Sequence, residues 1–318
     1  MTSQRPDTLN TNIEPGHADR QKQLVFLDTD IGDDIDDALA LALILQSSEI
    51  ALQGVSTVFG KTPKRARLAA HLLRVFGRED VPVAAGIATP LQPRHRPSGV
   101  PQAAILDERE IFPALSPLSG PELLIQTTLS HQQQLTLICI GPLTNIATAL
   151  NMEPCINSAI RNIVMMGGSG NVPWAEWNVR SDAKAAQIVL EAGIPVTMLG
   201  FDVTMHCQLR PYDLKQLQHA NSPQTQLLSM LIAVWQRHRP RGHSHLPYLH
   251  DPLTIAALLR PELFRFQEMM VRVVTHGPFK GYMLPRMTSG LRVRAAVAVQ
   301  SGQARNWIMQ RLLTPVRL

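Results

Sequence analysis

Apolar residues come in short blocks of two alternating kinds. "LVFLD" (24–28), "IALQGVSTV" (50–58), "VPVAAG" (81–86), "LTLICI" (135–140), "NIVMMGG" (162–168) and "PVTMLGFDV" (195–203) are short apolar runs that read as buried strands. Between them lie helical patterns. "ALALALILQ" (38–46) is apolar all round and predicts a buried helix. "PKRARLAAHLLRVFG" (63–77) is amphipathic, starting at Pro63 and stopping at Gly77. "PELLIQTTLSH", "PLTNIATAL" and "DAKAAQIVLEAG" (182–193) continue the alternation after a Pro-rich loop over 89–102. The last third reads as mostly helical until two late strands, "MMVRVVTH" (269–276) and "LRVRAAVAV" (291–299). This alternation predicts an α/β fold with an open, mostly parallel twisted sheet flanked by helices. Such sheets bind ligands at the carboxyl ends of their strands, which directs attention to the residues just after 28, 58, 140, 168 and 202.

Composition narrows the class. Hydrophobic residues make up 45% of the 318 and charged residues 17%, enough for a large core and too apolar for disorder over the bulk. Residues 1–22 have no apolar core of a signal peptide and read as a disordered leader, leaving 23–318 as one domain. No apolar run is long enough to cross a membrane. The net charge of +5 is scattered apart from a basic stretch near 237–245, so no nucleic-acid partner is expected. The three cysteines, Cys139, Cys155 and Cys207, have no metal-ligand spacing and an odd count. They point to a reducing compartment, the cytoplasm.

The chemistry is concentrated in "LDTDIGDDIDDALALA". Asp28, Asp30, Asp33, Asp34, Asp36 and Asp37 put six carboxylates into ten residues between a buried strand and a buried helix. Packed like this they repel one another and resist desolvation. No Lys or Arg between Lys22 and Lys61 offers local compensation. A divalent cation is the simplest counter-charge, and an all-oxygen donor set favours a hard ion such as Ca²⁺ or Mg²⁺. Helix N-capping accounts for one or two of the six, for instance Asp34 or Asp36. The EF-hand pattern fails, since its sixth and twelfth positions fall on Asp33 and Leu39. A DxD phosphotransferase, with Asp28 as nucleophile and Asp30 as general acid, fits the local pattern too.

This segment resembles the N-terminal signature of the inosine–uridine-preferring nucleoside hydrolases, D-x-D-P-G-x-D-D-A, with Ile31 in place of the Pro and two extra residues after Gly32. "GPLTNIATAL" (141–150), "VMMGGSGN…AEWNVRSDAKAA" (164–186) and "HDPLTIAALL" (250–259) are similar to the family's further signatures, in the same order. The similarity runs from about Leu24 to Val299. It implies a Rossmann-like nucleoside hydrolase fold and a Ca²⁺-dependent N-glycosidase that splits ribonucleosides into ribose and free base for salvage, working as a homodimer or homotetramer. By position, Asp30 matches the acid that binds calcium and activates water. Asp37, the backbone carbonyl of Ile140 and Asp251 match further calcium ligands. Asp36, Asn171, Glu176 and Asn178 match residues that hold the ribose hydroxyls, and His250 matches a His near the leaving base.

Bland readings stand beside these. Asp251 before Pro252 makes a good helix cap, and Asn145 reads as a residue bonding the local helix or loop. "RHRPRGHSHLPYLH" (237–250) reads as a mobile loop over the pocket, with a separate metal site as an alternative. Trp174 and Trp177 either stack on the base or pack, with packing favoured for Trp177. Lys61 stands where the family has an Asn beside the nucleophilic water. A cation there would weaken metal binding or bond Asp30, leaving a non-catalytic nucleoside or ribose binder as the second function reading.

Overall fold

A computed structural model describes residues 22–92, 99–170, 172–240, 242–286 and 290–314. Among these, β1 (Gln23–Thr29), β2 (Ile50–Thr57), β3 (Val83–Ala85), β4 (Leu135–Cys139), β5 (Ile160–Met166), β6 (Val196–Leu199), β7 (Phe264–Val273), β8 (Met283–Arg286) and β9 (Leu291–Val299) form one sheet. Its order is β3-β2-β1-β4-β5-β6-β9-β7-β8. Pairings from β3 through β6 to β9 are parallel, and β7 runs antiparallel to both β9 and β8. The leader expected over 1–22 lies outside the described residues save Lys22, and so does Asn171.

The central strands are apolar on both faces because helices cover both. Val25 and Leu27 point into one core, with the helix Asp36–Leu45, while Phe26 points into the other, with Leu137, Leu124 and Ile146. Burying each such side chain contributes about 1.5–3 kcal/mol. The helix Asp36–Leu45 is buried from Asp36 to Ile44 and packs against the helices Pro252–Leu259 and Thr62–Val75. Hence its sequence has no polar face, and its two acids are carried inside.

Strand order reverses between β1 and β4, so a crevice opens at their carboxyl ends. Asp28 pairs with Cys139 in register, and the Ile140 N–H donates to the Asp28 carbonyl at 2.9 Å. Asp30 and Ile140 therefore leave the sheet side by side.

Two strand assignments need correction. The run over 195–203 stops as a strand at Leu199, and Phe201–Thr204 is a helical turn. Gly200 makes that corner, since a Cβ there would fall 2.4 Å from Asp202 Oδ1. The strand over 269–276 begins at Phe264 and ends at Val273, and its hairpin partner β8 has no counterpart in the sequence reading. β7 and β8 form the antiparallel edge of the sheet, where charged residues interrupt the apolar pattern.

Candidate active site

The acidic loop is tied down by its own backbone and by one buried arginine. Thr29 Oγ1 donates to Asp37 Oδ1 at 2.5 Å and accepts from the Ile31 N–H at 3.1 Å. Gly32 has φ +119°, and a Cβ there would lie 2.3 Å from Val100 Cγ1, so this turn requires glycine. Gln102 Nε2 donates to the Asp34 carbonyl at 2.6 Å.

Arg65, fully buried, reaches under the loop. Its Nε donates to the Phe59 carbonyl at 2.7 Å, one terminal nitrogen to the carbonyls of Asp30 and Ile31, and the other to Asp33 Oδ2 at 2.8 Å. The compensating cation missing from the local sequence thus comes from the next helix. It serves Asp33 and the loop backbone and leaves the acids deeper in the crevice to one another.

Those deeper acids converge. Asp36, Asp37 and Asp251 are buried, and each offers a carboxylate oxygen within 4.8 Å of the others. Asp251 takes the N-cap position ahead of Pro252, as expected, but neither it nor Asp36 caps through its side chain. The helix carrying Asp36 and Asp37 is capped by Ile35 without a side-chain bond. Desolvation first, then repulsion from neighbouring acids, pushes all three well above the usual carboxylate range. Burial also pushes Asp30 up to about 7, against the pull of Arg65. Asp30 is outside the tight trio, but its charge acts on all three members.

Carboxylates in this state are short of positive charge. The nearby ion pairs go elsewhere, Arg65 to Asp33 at 2.8 Å and Arg239 to Asp34 at 3.6 Å. An all-oxygen, like-charged, buried donor set fits a hard divalent cation. Ile140 lines the same cavity, and Asn178 Nδ2 donates to its carbonyl at 3.0 Å and to the Met166 carbonyl at 3.2 Å. Glu176 accepts from the N–H groups of Asn178, Gly168 and Val179 at 2.7, 2.9 and 3.1 Å. That fixes it as the cap of the helix Trp177–Ser181 and holds its carboxylate at the cavity wall. The cavity has a volume of about 820 Å³.

The model of the inosine-uridine preferring nucleoside hydrolase family fits residues 25–307. The chain belongs to that family. A pyrimidine-specific ribonucleoside hydrolase, RihA, from Salmonella schwarzengrund is 35% identical over 273 residues, which are 80% of this chain and 85% of that protein. Among solved structures, a plant nucleoside hydrolase, PpNRh1, superposes with a TM-score of 0.81 at 28% identity, covering 92% of this chain and 99% of that one. A purine-preferring ribonucleoside hydrolase from Gardnerella vaginalis gives 0.79 at 27% identity, covering 91% and 98%. This nucleoside hydrolase therefore acts on N-glycosyl bonds.

Within the hydrolase, Lys61 points to solvent. It is exposed, sits at the start of the helix Thr62–Val75 and does not line the cavity. The phosphotransfer alternative fails on Asp28, which is wholly buried and off the cavity wall. Its Oδ1 accepts from Ser56 Oγ and from Asn145 Nδ2, and burial pushes its carboxyl up to about 7. Asn145 does more than bond its own helix. It also donates to the Thr57 carbonyl at 3.1 Å and accepts from the Ile87 N–H at 2.8 Å, joining the ends of β1, β2 and β3.

His250 lies in a ladder of rings. Trp174 stacks on Phe201 at 6.1 Å, Phe201 on His250 at 5.5 Å, and His250 on Tyr248 at 5.3 Å. Its Nδ1 is 2.8 Å from Thr204 Oγ1. Burial pushes its pKa from 6.5 down to about 4. Trp177 packs edge-on against Phe59 yet is 40% exposed at the cavity. Of the His-rich stretch, His238, Arg239, Pro240 and His250 line the cavity. The described residues there form no metal cluster of their own.

Proposed function

We propose that the chain hydrolyses the N-glycosidic bond of ribonucleosides with Ca²⁺ held by Asp30, Asp37, Asp251 and the Ile140 carbonyl. The supporting observation is the convergence of Asp36, Asp37 and Asp251 within 4.8 Å on the wall of the one cavity that Asp30 also lines. The bound ion would lower the pKa of a water and engage the ribose hydroxyls.

The residues supply the rest. Asp30, whose affinity for protons burial raises to a pKa of about 7, accepts the proton of the attacking water at a carboxylate oxygen. Asp36, Asn171, Glu176 and Asn178 orient the ribose through its hydroxyls. The surrounding negative charge favours the oxocarbenium-like state formed as the C1′–N bond opens. The ring ladder gives the base an apolar wall. Thr204 Oγ1 and His250 Nδ1 are hydrogen-bonded at 2.8 Å, and in the tautomer whose Nδ1 accepts, neutral His250 would carry its proton on Nε2 and could hydrogen-bond the departing base.

The three free cysteines, two of them buried, support a reducing compartment and with it salvage in the cytoplasm. The family resemblance supports a homodimer or homotetramer. A reducing-sugar assay over purine and pyrimidine ribonucleosides, with EDTA and after Ca²⁺ add-back, tests the proposal. Sugar release that disappears with EDTA and returns with Ca²⁺ is expected. Retained Ca²⁺ without turnover on any nucleoside would leave only the ligand-binder reading.

A further inference from the structure

Three arginines lie in or under the active-site loops, and two of them are committed. Arg65 has four acceptors and Arg239 has Asp34. Arg180 is the exception. It lines the same cavity, yet among the described residues no carboxylate lies within ion-pair distance of it, and its buried Nε has no hydrogen-bond partner.

Arg180 is nevertheless held in place. Its guanidinium lies 5.2 Å from the Trp177 ring centroid. The backbone at Gly281 (φ +88°) closes over its stem so tightly that a Cβ there would fall 2.6 Å from Arg180 Cα and 2.8 Å from its Cβ. A cation that is positioned, lacks an acceptor and faces a ligand cavity is a recognition element in search of an anion.

Its place in the cavity indicates which part of the substrate it meets. Arg180 sits on the helix that Glu176 caps, its N–H donating to the Glu176 carbonyl at 2.8 Å, whereas Arg239 pairs with Asp34 at 3.6 Å and belongs to the segment that leads to His250. The two cavity arginines are thus divided between the Glu176 end and the His250 end. On the reading above, Glu176 faces the sugar and His250 the base.

We propose that Arg180 binds an anionic group carried by the sugar, and that the hydrolase takes ribonucleoside 5′-monophosphates as substrates. A phosphomonoester entering a cavity walled by Asp30, Asp36, Asp37 and Asp251 meets like charge throughout, so admitting it requires a cation at the sugar end. The planar guanidinium fork suits two phosphate oxygens. The reaction stays a hydrolysis. Water oxygen bonds C1′, the C1′–N pair leaves with the base, the water's proton ends on the base, and ribose 5-phosphate replaces ribose as product.

This inference rests on the hydrolase reading, and its test separates the two. Steady-state kcat/KM is measured with Ca²⁺ for a nucleoside and its own 5′-monophosphate, using wild type, Arg180→Met and Arg180→Lys. Wild type is expected to cleave the monophosphate at least as efficiently as the nucleoside. Arg180→Met is expected to lose at least tenfold more on the monophosphate than on the nucleoside, with Arg180→Lys in between. Ribose 5-phosphate is expected to inhibit wild type at lower concentration than ribose, a difference that Arg180→Met erases. Cleavage of the nucleoside alone by wild type, or equal losses on both substrates in Arg180→Met, overturns the inference and leaves the hydrolase reading intact. Cleavage of neither removes both. The wild-type comparison decides even if a variant fails to fold.

Discussion

The Arg65 guanidinium and the Asp33 carboxylate meet at 2.8 Å beneath the loop that carries Asp30. The same guanidinium binds the carbonyls of Asp30 and Ile31, so one side chain sets the course of the loop from below. Asp33 belongs to the segment that is two residues longer than the family pattern. The longer loop therefore brings its own anchor.

Arg65→Met leaves Asp33 and three carbonyls without their donor. Breaking a buried pair from one side costs about 3–5 kcal/mol, and a loss of that size is expected in urea unfolding. Arg65→Lys recovers only part of it, because one ammonium cannot span acceptors that a five-donor fork reaches. Full stability in Arg65→Met would show that the loop is held by other contacts.

Asp251→Asn separates metal holding from folding. The substitution removes one of three buried like charges, so in EDTA at pH 8 its Tm is expected to rise above that of wild type. Its Ca²⁺ affinity in calorimetry is expected to fall by about 100-fold or more. A lower Tm in EDTA together with unchanged affinity would mean that Asp251 serves the helix and not an ion.

The raised acids set the pH dependence. Burial lifts Asp28 and Asp30 from 3.8 to about 7 in the folded chain. The folded state therefore binds protons more tightly than the unfolded one between those values, and stability declines as pH climbs through that window. Asp36, Asp37 and Asp251 are shifted in the same direction. His250, lowered from 6.5 to about 4, has the opposite sign and loses stability as pH falls through that range. The carboxylates outnumber it, so the metal-free Tm is expected to drop from pH 4 to pH 7. Ca²⁺ needs the ionised acids, so its stabilising effect should grow over the same span. Thermal melts with EDTA or Ca²⁺ at each pH check both slopes.

Asp30→Asn keeps the shape of the side chain and removes the proton acceptor. Turnover is expected to fall by about 10²–10⁴-fold, with unchanged circular dichroism and, since a buried like charge is removed, a melt in EDTA at pH 8 no lower than that of wild type. Near-normal activity would assign the proton transfer to another group.

Much of this was legible along the chain because the relevant signals are local. Strands buried on both faces leave unbroken apolar runs, and the helix after the acids shows no polar side, as "ALALALILQ" displays. The convergence of Asp251 with Asp36 and Asp37 was legible only through the resemblance, since nothing in the spacing of residues 36 and 251 foretells contact. Arg65 was missed because "PKRARLAA" looks like the charged start of an amphipathic helix, and its acceptors are mostly carbonyls, which no sequence displays. Asn145 was passed over for the same reason, since its bonds join three strand ends. The edge strand β8 was lost to a pattern broken by Pro285 and Arg286. The environment of His250 depends on three other rings drawn from separate segments, so its depressed basicity had no linear signature.

The three converging acids come from distant parts of the polypeptide: Asp36 and Asp37 follow the first strand, and Asp251 precedes the helix Pro252–Leu259. During synthesis the early pair emerges with nothing to complete it, and the grip closes only after some two hundred further residues have been threaded into place. A metal ion held there would thus act as a late staple, rewarding only a chain whose two halves have found each other, and its uptake would report finished assembly.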